Sequence, residues 1–246
     1  MFTPRTLSFL RSLARHNDRE WFRAHREDYE RHVREPMLAV LARLAQDVPR
    51  FSPESIVDPK VSLYRIYRDT RFSEDKSPLK THIAALLPAR GFGRHEGAGL
   101  YFQVSRTGAW AGGGLYRPST QGLQALRAHI AEHPRQLRTL VTSARFRRVV
   151  GELQGERLTR VPRGYPADHP AAEHLRFKQF LASRELPPED VTGPDFYDWL
   201  LETFRAVAPL ATFLNTAMRT REAVWGGYDT FANPTGSRRP RRASDA

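Results

Sequence analysis

Leu7, Leu10 and Leu13 recur at helical spacing behind Thr3 and Thr6, two residue types that cap helices, so the chain is predicted to open with a helix. Asn17 or Asp18 can cap a second helix through Glu20, Trp21 and Phe22, which makes this stretch a helix-turn-helix junction with a buried aromatic pair. A third run, Met37–Val48, puts Leu38, Leu41, Leu44 and Ala45 on one face, with Pro36 near its start. The period then changes. Residues 60–68 are rich in β-branched and aromatic side chains and predict a strand leading into Asp69. Leu100, Phe102 and Val104 alternate with Tyr101, Gln103 and Ser105, the pattern of a strand with one buried face. Thr107 and Gly108 supply a turn and Trp110–Tyr116 a returning strand, so an antiparallel hairpin is expected. Gly112, Gly113 and Gly114 forgo packing inside that return, which permits a bulge or a close approach by another group.

Helical spacing resumes in the second half. Ser119 can cap a helix carrying Leu123, Leu126 and Ile130 that stops near Pro134, and Gln136–Leu153 supplies another. Residues 177–184 fit strand or helix equally well. Asp195–Leu214 reads as a helix with Phe196, Trp199, Leu200, Phe204 and Val207 inward and Pro209 interrupting it. Together these elements predict an α+β fold, with a central antiparallel sheet that includes a hairpin, packed by N-terminal and C-terminal helices. No linker divides the chain. One domain over residues 1–232 and a basic, disordered tail over 233–246 are therefore expected.

Composition narrows the choice of function. The chain has 246 residues and no cysteine, which removes disulfides, thiolate metal sites and cysteine nucleophiles together. No stretch approaches the roughly 20 apolar residues of a membrane span, and no apolar leader precedes the first helix, so a cytoplasmic protein without membrane contact is expected. The net charge of +12 suggests a polyanionic partner, but lysine occurs only at positions 60, 76, 80 and 178, a skew towards arginine that reads as coding bias. Where arginine is used almost everywhere, a surviving lysine marks a place for a compact, titratable ammonium. Lys76 and Lys80 fall in one short segment.

That segment carries most of the chemistry. From Arg65 to His82 it holds Arg65, Arg68, Asp69, Arg71, Glu74, Asp75, Lys76, Lys80 and His82. Ser77 and Pro78 look like a cap and a first helical residue, so Lys80, Thr81 and His82 are expected in the first turn of a helix whose N-terminus favours anions. Three readings follow: a salt-bridge lattice in which Asp69, Glu74 and Asp75 neutralise the arginines, an anion pocket, or metal-dependent catalysis suggested by Glu74 and Lys76. Asp168, His169, Glu173 and His174 suit metals as residue types, yet their spacing matches no standard site, and a helix capped by Asp168 is the plainer reading. His169 could instead face the Arg65–His82 segment as a proton donor. Serine-hydrolase elbows and nucleotide-binding glycine patterns do not occur.

The run Arg65-x-x-Arg68-Asp69-x-Arg71-Phe72-x-x-x-Asp75-Lys76 resembles the motif of the bacterial family called domain of unknown function 2461, and the resemblance extends over Asn17–Phe22, Gly112–Tyr116, Asp168–Pro170 and Pro209–Leu210. Leu79 stands where the family pattern has tyrosine, so no phenolic role carries over. The resemblance implies a shared fold and site without a reaction. The leading expectation is a site for a small anion such as phosphate or carboxylate, formed by Arg65, Arg68, Arg71, Lys76 and Lys80, oriented by Asp69 and Asp75, beside Gly113 and Tyr116. Were it catalytic, Asp69 or His82 would serve as acid or base. The alternatives are a nucleic-acid-associated module using Tyr64, Tyr67 and Tyr101, and a non-enzymatic protein-interaction module in which the motif is structural. Sequence assigns no metal, cofactor or oligomeric state.

Overall fold

The first helix, α1 (Pro4–Arg15), begins where Thr3 and Thr6 form a reciprocal capping box and buries Leu7, Leu10 and Leu13, as its spacing requires. Asp18 accepts from the Trp21 amide at 2.7 Å and starts α2 (Arg19–Ala24). His25 breaks the run before α3 (Arg26–Tyr29), and a π-helical turn over Glu30–Arg34 feeds α4 (Glu35–Asp47). The buried face of α4 consists of Pro36, Met37, Val40, Leu41 and Leu44; Ala45 is exposed, so the inward stripe lies one step away from the expected one. This computed structural model describes residues 1–71 and 74–225, with side chains as far as Arg219. The expected tail, 233–246, lies outside the described residues.

Four strands form one antiparallel sheet in the order β1 (His82–Leu87), β2 (Gly99–Ser105), β3 (Gly108–Leu115), β4 (Phe180–Leu186). The hairpin is β2 and β3, joined through Arg106 and Thr107 with Ser105 opposite Gly108. Two local expectations before this sheet fail for one reason. Residues 60–68 are no strand of the sheet: α5 (Pro59–Ser62) occupies their first part, capped by Asp58. Nor does Ser77-Pro78 open a helix. Instead residues 63–68 run beside 78–85 in a short antiparallel ribbon, with Tyr64 N–H donating to Ala84 O at 3.0 Å, Lys80 N–H to Ile66 O at 2.8 Å and Arg68 N–H to Pro78 O at 2.9 Å. Proline disfavours helix in the residue before it, so Ser77 suits this extended course. The ribbon leads straight into β1, which puts Lys80 and His82 on a sheet edge and not at a helix end.

Of residues 177–184, those from Phe180 onward form the start of β4, which pairs with β3 after a long helical excursion through α6 (Thr120–Glu132), α7 (Pro134–Thr142), α8 (Ala144–Val150) and α9 (Ala172–Leu175). The helix expected over Gln136–Leu153 is two helices, because Ser143 leaves helical geometry and caps the second through the Phe146 amide. Asp168 caps nothing there; α9 starts at Ala172 after Ala171. A single turn, α10 (Pro188–Val191), follows β4.

The C-terminal α11 (Phe196–Trp225) covers one face of the sheet, where Phe102 of β2 meets Phe204 edge-on at 6.2 Å. Pro209 lies inside this helix with its ring exposed, and the helix is not interrupted there but runs on to Trp225. The β3 glycines answer to their neighbours: a Cβ on Gly112 or Gly114 would strike the β4 backbone at Ala182 O or Phe180 O, Gly114 also has φ +123°, and a Cβ on Gly113 would lie 3.0 Å from Val207 of α11. Close packing of strand on strand and of helix on sheet therefore accounts for them. No helix among the described residues is long and apolar enough to cross a membrane.

Candidate functional site

Alternation along the strands leaves the face opposite α11 open. His82, Ala84 and Leu86 of β1, Tyr101 of β2, Trp110 of β3 and Leu181 of β4 line a cleft of about 670 Å³ there. Tyr64, Lys80, Arg94 and His95 form one wall, and Gly113, Gly114, Tyr116 and Arg117 close the far end. Rings dominate the surface. Tyr64 stacks on His95 with centroids 5.9 Å apart and meets Tyr101 edge-on at 6.2 Å, and Tyr101 meets Trp110 edge-on at 5.4 Å. Lys80 Nζ lies 4.7 Å and the Arg94 guanidinium 4.1 Å from the Tyr64 ring centroid, both within cation–π reach. Arg94 is fixed by donating to Ser62 O at 2.8 Å, while its buried Nε has no hydrogen-bond partner among the described residues. Among the described residues no carboxylate lines the cleft.

Burial, and then the charges of Arg65, Arg94 and Arg68, lower the Lys80 pKa below the ordinary lysine value. His82 is lowered by burial and by Lys80 and Arg68, and His95 by burial, Arg94 and Lys80. Both imidazoles are therefore biased to the neutral form. Burial raises the Tyr101 phenol well above its usual value, with Tyr64 adding to the effect, and the phenol donates to Gln103 Oε1 at 2.7 Å. Burial also raises Tyr64, against the opposing charge of Arg94.

The residues expected to share one site divide between two faces. Lys80, His82, Gly113 and Tyr116 meet in the cleft, with Tyr116 57% exposed. Arg65 and Arg68 line a separate hollow of about 490 Å³ with Arg19, Phe22, Arg23, Arg26 and Tyr67. Asp69 and Arg71 line neither: they form an exposed bidentate pair at 2.8 and 3.0 Å, and the hydrogen bonds from Arg71 lower the Asp69 carboxyl to about 2. Such a carboxylate is a weak base. Asp75 accepts from the Ser77 hydroxyl and amide, which lowers its pKa, and pairs with Arg68 at 3.0 Å. Lys76 donates to Thr70 O at 3.0 Å. Part of the expected salt-bridge lattice is thus present in Arg68–Asp75 and Arg71–Asp69, and Glu74 takes no part among the described residues.

Leu79 is fully buried, and the Asn17 side chain clasps its backbone, donating to Leu79 O at 2.9 Å and accepting from its N–H at 3.0 Å. This clasp fastens the start of α2 to the ribbon. Arg94, His95, Trp110 and Arg117 escaped sequence reasoning, because only strand register and the loop before β2 bring them to Lys80. His169 lines neither cavity; its Nδ1 accepts from the Ala171 amide at 3.0 Å. Glu173 pairs with Arg176. Among the described residues the group suited to hold a metal lies elsewhere, at the end of α6, where ligand atoms of His129, Glu132 and His133 all fall within 4.8 Å of one another. Its spacing, His-x-x-Glu-His, was legible in the sequence.

Comparison with curated proteins and with solved structures gives no match. A family model does match, described as a conserved hypothetical protein and covering residues 5–213, from the second residue of α1 through more than half of α11. The chain that folds these two cavities around one ribbon belongs to the domain of unknown function 2461 family.

Proposed function

We propose that the protein binds a small organic anion in the sheet-face cleft, one that joins a carboxylate or phosphate to a flat or apolar body. The observation that carries this reading is the lining: Lys80, Arg94 and Arg117 gather around Tyr64, Tyr101, Trp110 and Tyr116 with no carboxylate among the described residues there. Partly desolvated cations attract an anion more strongly than solvated ones, and rings favour a planar body by stacking. A ligand with only one of these features would leave half the cleft unmatched. His82 is the group there best suited to exchange a proton with the bound molecule, since burial and the charge of Lys80 bias its imidazole to the neutral, proton-accepting form.

A thermal-shift screen with 4-hydroxybenzoate, other aromatic carboxylates and nucleoside monophosphates tests this directly. Stabilisation by at least one of them, lost in Lys80→Met and in Arg94→Met, is expected. Stabilisation that survives both substitutions, or none at millimolar concentrations of every compound, would defeat the reading. Single-stranded nucleic acid is the second reading, favoured by exposed Tyr116 and by the basic body. It requires affinity that grows with strand length and falls steeply with salt.

A further inference from the structure

Across the ribbon from the cleft, five guanidinium groups surround one open hollow. Arg19, Arg23 and Arg26 come from α2 and the start of α3, where spacings of four and three residues put them on one side of the helical run. Arg65 and Arg68 come from the ribbon. The Asn17 clasp on Leu79 holds the two sources together, and buried Phe22, edge-on to Tyr67 at 5.8 Å, forms the apolar base. Tyr67 is 46% exposed and adds a phenol at the rim.

Nearby carboxylates leave this charge unmatched. Asp18 caps α2, and Asp69 is bonded to Arg71 and reaches Arg65 only through its field, whereas Glu20 and Glu27 form no ion pair among the described residues. Among the described residues Arg68 alone of the five has a carboxylate partner, Asp75, and its buried Nε finds no acceptor there. Among the described residues Arg19, Arg23, Arg26 and Arg65 have neither an ion pair nor a side-chain hydrogen bond. Like charges gathered without counter-charge repel one another, and an anion entering the hollow relieves that repulsion. The described residues that line it include no lysine, only planar forks that bind oxyanions bidentately.

We propose that this hollow is a binding site for a compact, multiply charged phosphoryl oxyanion of the diphosphate class. Each unpaired arginine offers about five N–H donors, more in total than a single carboxylate can accept. A diphosphate spreads several terminal oxygens over the same small space, so it can engage guanidiniums from the helix and the ribbon at once. The same group reaches the hollow either as free diphosphate or as the diphosphate of a nucleotide. The proposal stands apart from the cleft reading, since the two cavities share no lining residue among those described.

Isothermal titration calorimetry of the full chain with sodium diphosphate, orthophosphate and ADP at about 0.1 M salt decides it. Diphosphate is expected to bind more tightly than orthophosphate, and Arg23→Gln and Arg65→Gln are each expected to weaken it by about tenfold or more, the scale of a lost charge-assisted hydrogen bond. Lys80 acts on Arg65 and Arg68 only through its field, so Lys80→Met should weaken this binding far less than either glutamine variant while it abolishes binding in the cleft, which separates the two failures. ADP tighter than diphosphate identifies a nucleotide as the source; ADP excluded identifies the free ion; both support the site. Arg26→Lys keeps the charge and removes the fork, so weakened binding with an unchanged melting temperature supports the site even should the glutamine variants misfold. Diphosphate affinity indifferent to all three substitutions, absence of binding, or binding confined to long nucleic acid would overturn it.

Discussion

The two sides of one ribbon handle positive charge in opposite ways. Facing the sheet, Lys80 and Arg94 are half-buried against Tyr64, so a small number of charges act in a low dielectric with rings beside them. Facing α2, the guanidiniums of Arg19, Arg23, Arg26 and Arg65 stand in solvent and act through their number. Selection in the cleft rests on shape as well as charge; selection in the hollow rests on charge density and donor geometry. Screening should therefore weaken the hollow more than the cleft as salt rises.

The comparison can be broken most severely at Gly114. An alanine there would need φ +123° and would press its Cβ on Phe180 O. A stability loss of about 3 kcal/mol is expected from strain and overpacking, read as a fall in Tm of roughly 6–12 °C for a chain of this size. The cleft floor should deform with it while diphosphate binding persists. Next in size is Asn17→Ala, which removes both hydrogen bonds to Leu79 and leaves partly buried backbone groups unpaired. About 2 kcal/mol should be lost by chemical denaturation, and here the hollow loses affinity while the cleft keeps its ligand.

The pH response sharpens the contrast further. Folding lowers the His82 and His95 pKa values below 6.5, so between the folded value and 6.5 the unfolded chain holds more protons than the native one. Stability must rise with pH through that window, and the penalty is complete below it. A series of Tm measurements from acid to neutral pH should show this rise, and His82→Gln should flatten it. The smallest effect belongs to Asp69→Asn. Its exposed pair with Arg71 lines neither cavity, so Tm and cleft affinity should stay within error, while diphosphate affinity should rise slightly because a negative charge acting on Arg65 is lost.

Sequence reasoning succeeded where a period reports burial. Leu7, Leu10 and Leu13 marked a helix, and Leu100, Phe102 and Val104 marked both a strand and its inward face. It failed between residues 60 and 82, where β-branched and aromatic residues can serve a sheet or a two-stranded ribbon and Ser77-Pro78 can start a helix or extend a strand. Tertiary pairing of Tyr67 with Leu79 decided both. Lys80 and His82 could be picked out because they are unusual residues in a dense charged run. Arg94, Trp110 and Arg117 share a cleft with Lys80 only through sheet register and the loops that flank β2 and β3, which composition does not encode. Arg19, Arg23 and Arg26 stand at helical spacing that sequence reasoning passed over, and their distance from Arg65 depends on the Asn17 clasp, since nothing local announces a contact across 62 residues.

Among the described side chains, Trp110 is the tryptophan that lines the cleft. Its indole packs edge-on against Tyr101, so a guest settling there alters the polarity and quenching around a native fluorophore. Replacing Trp21, Trp199 and Trp225 by phenylalanine would leave an emission spectrum that follows occupancy of that cavity and stays silent when the arginine-lined one fills.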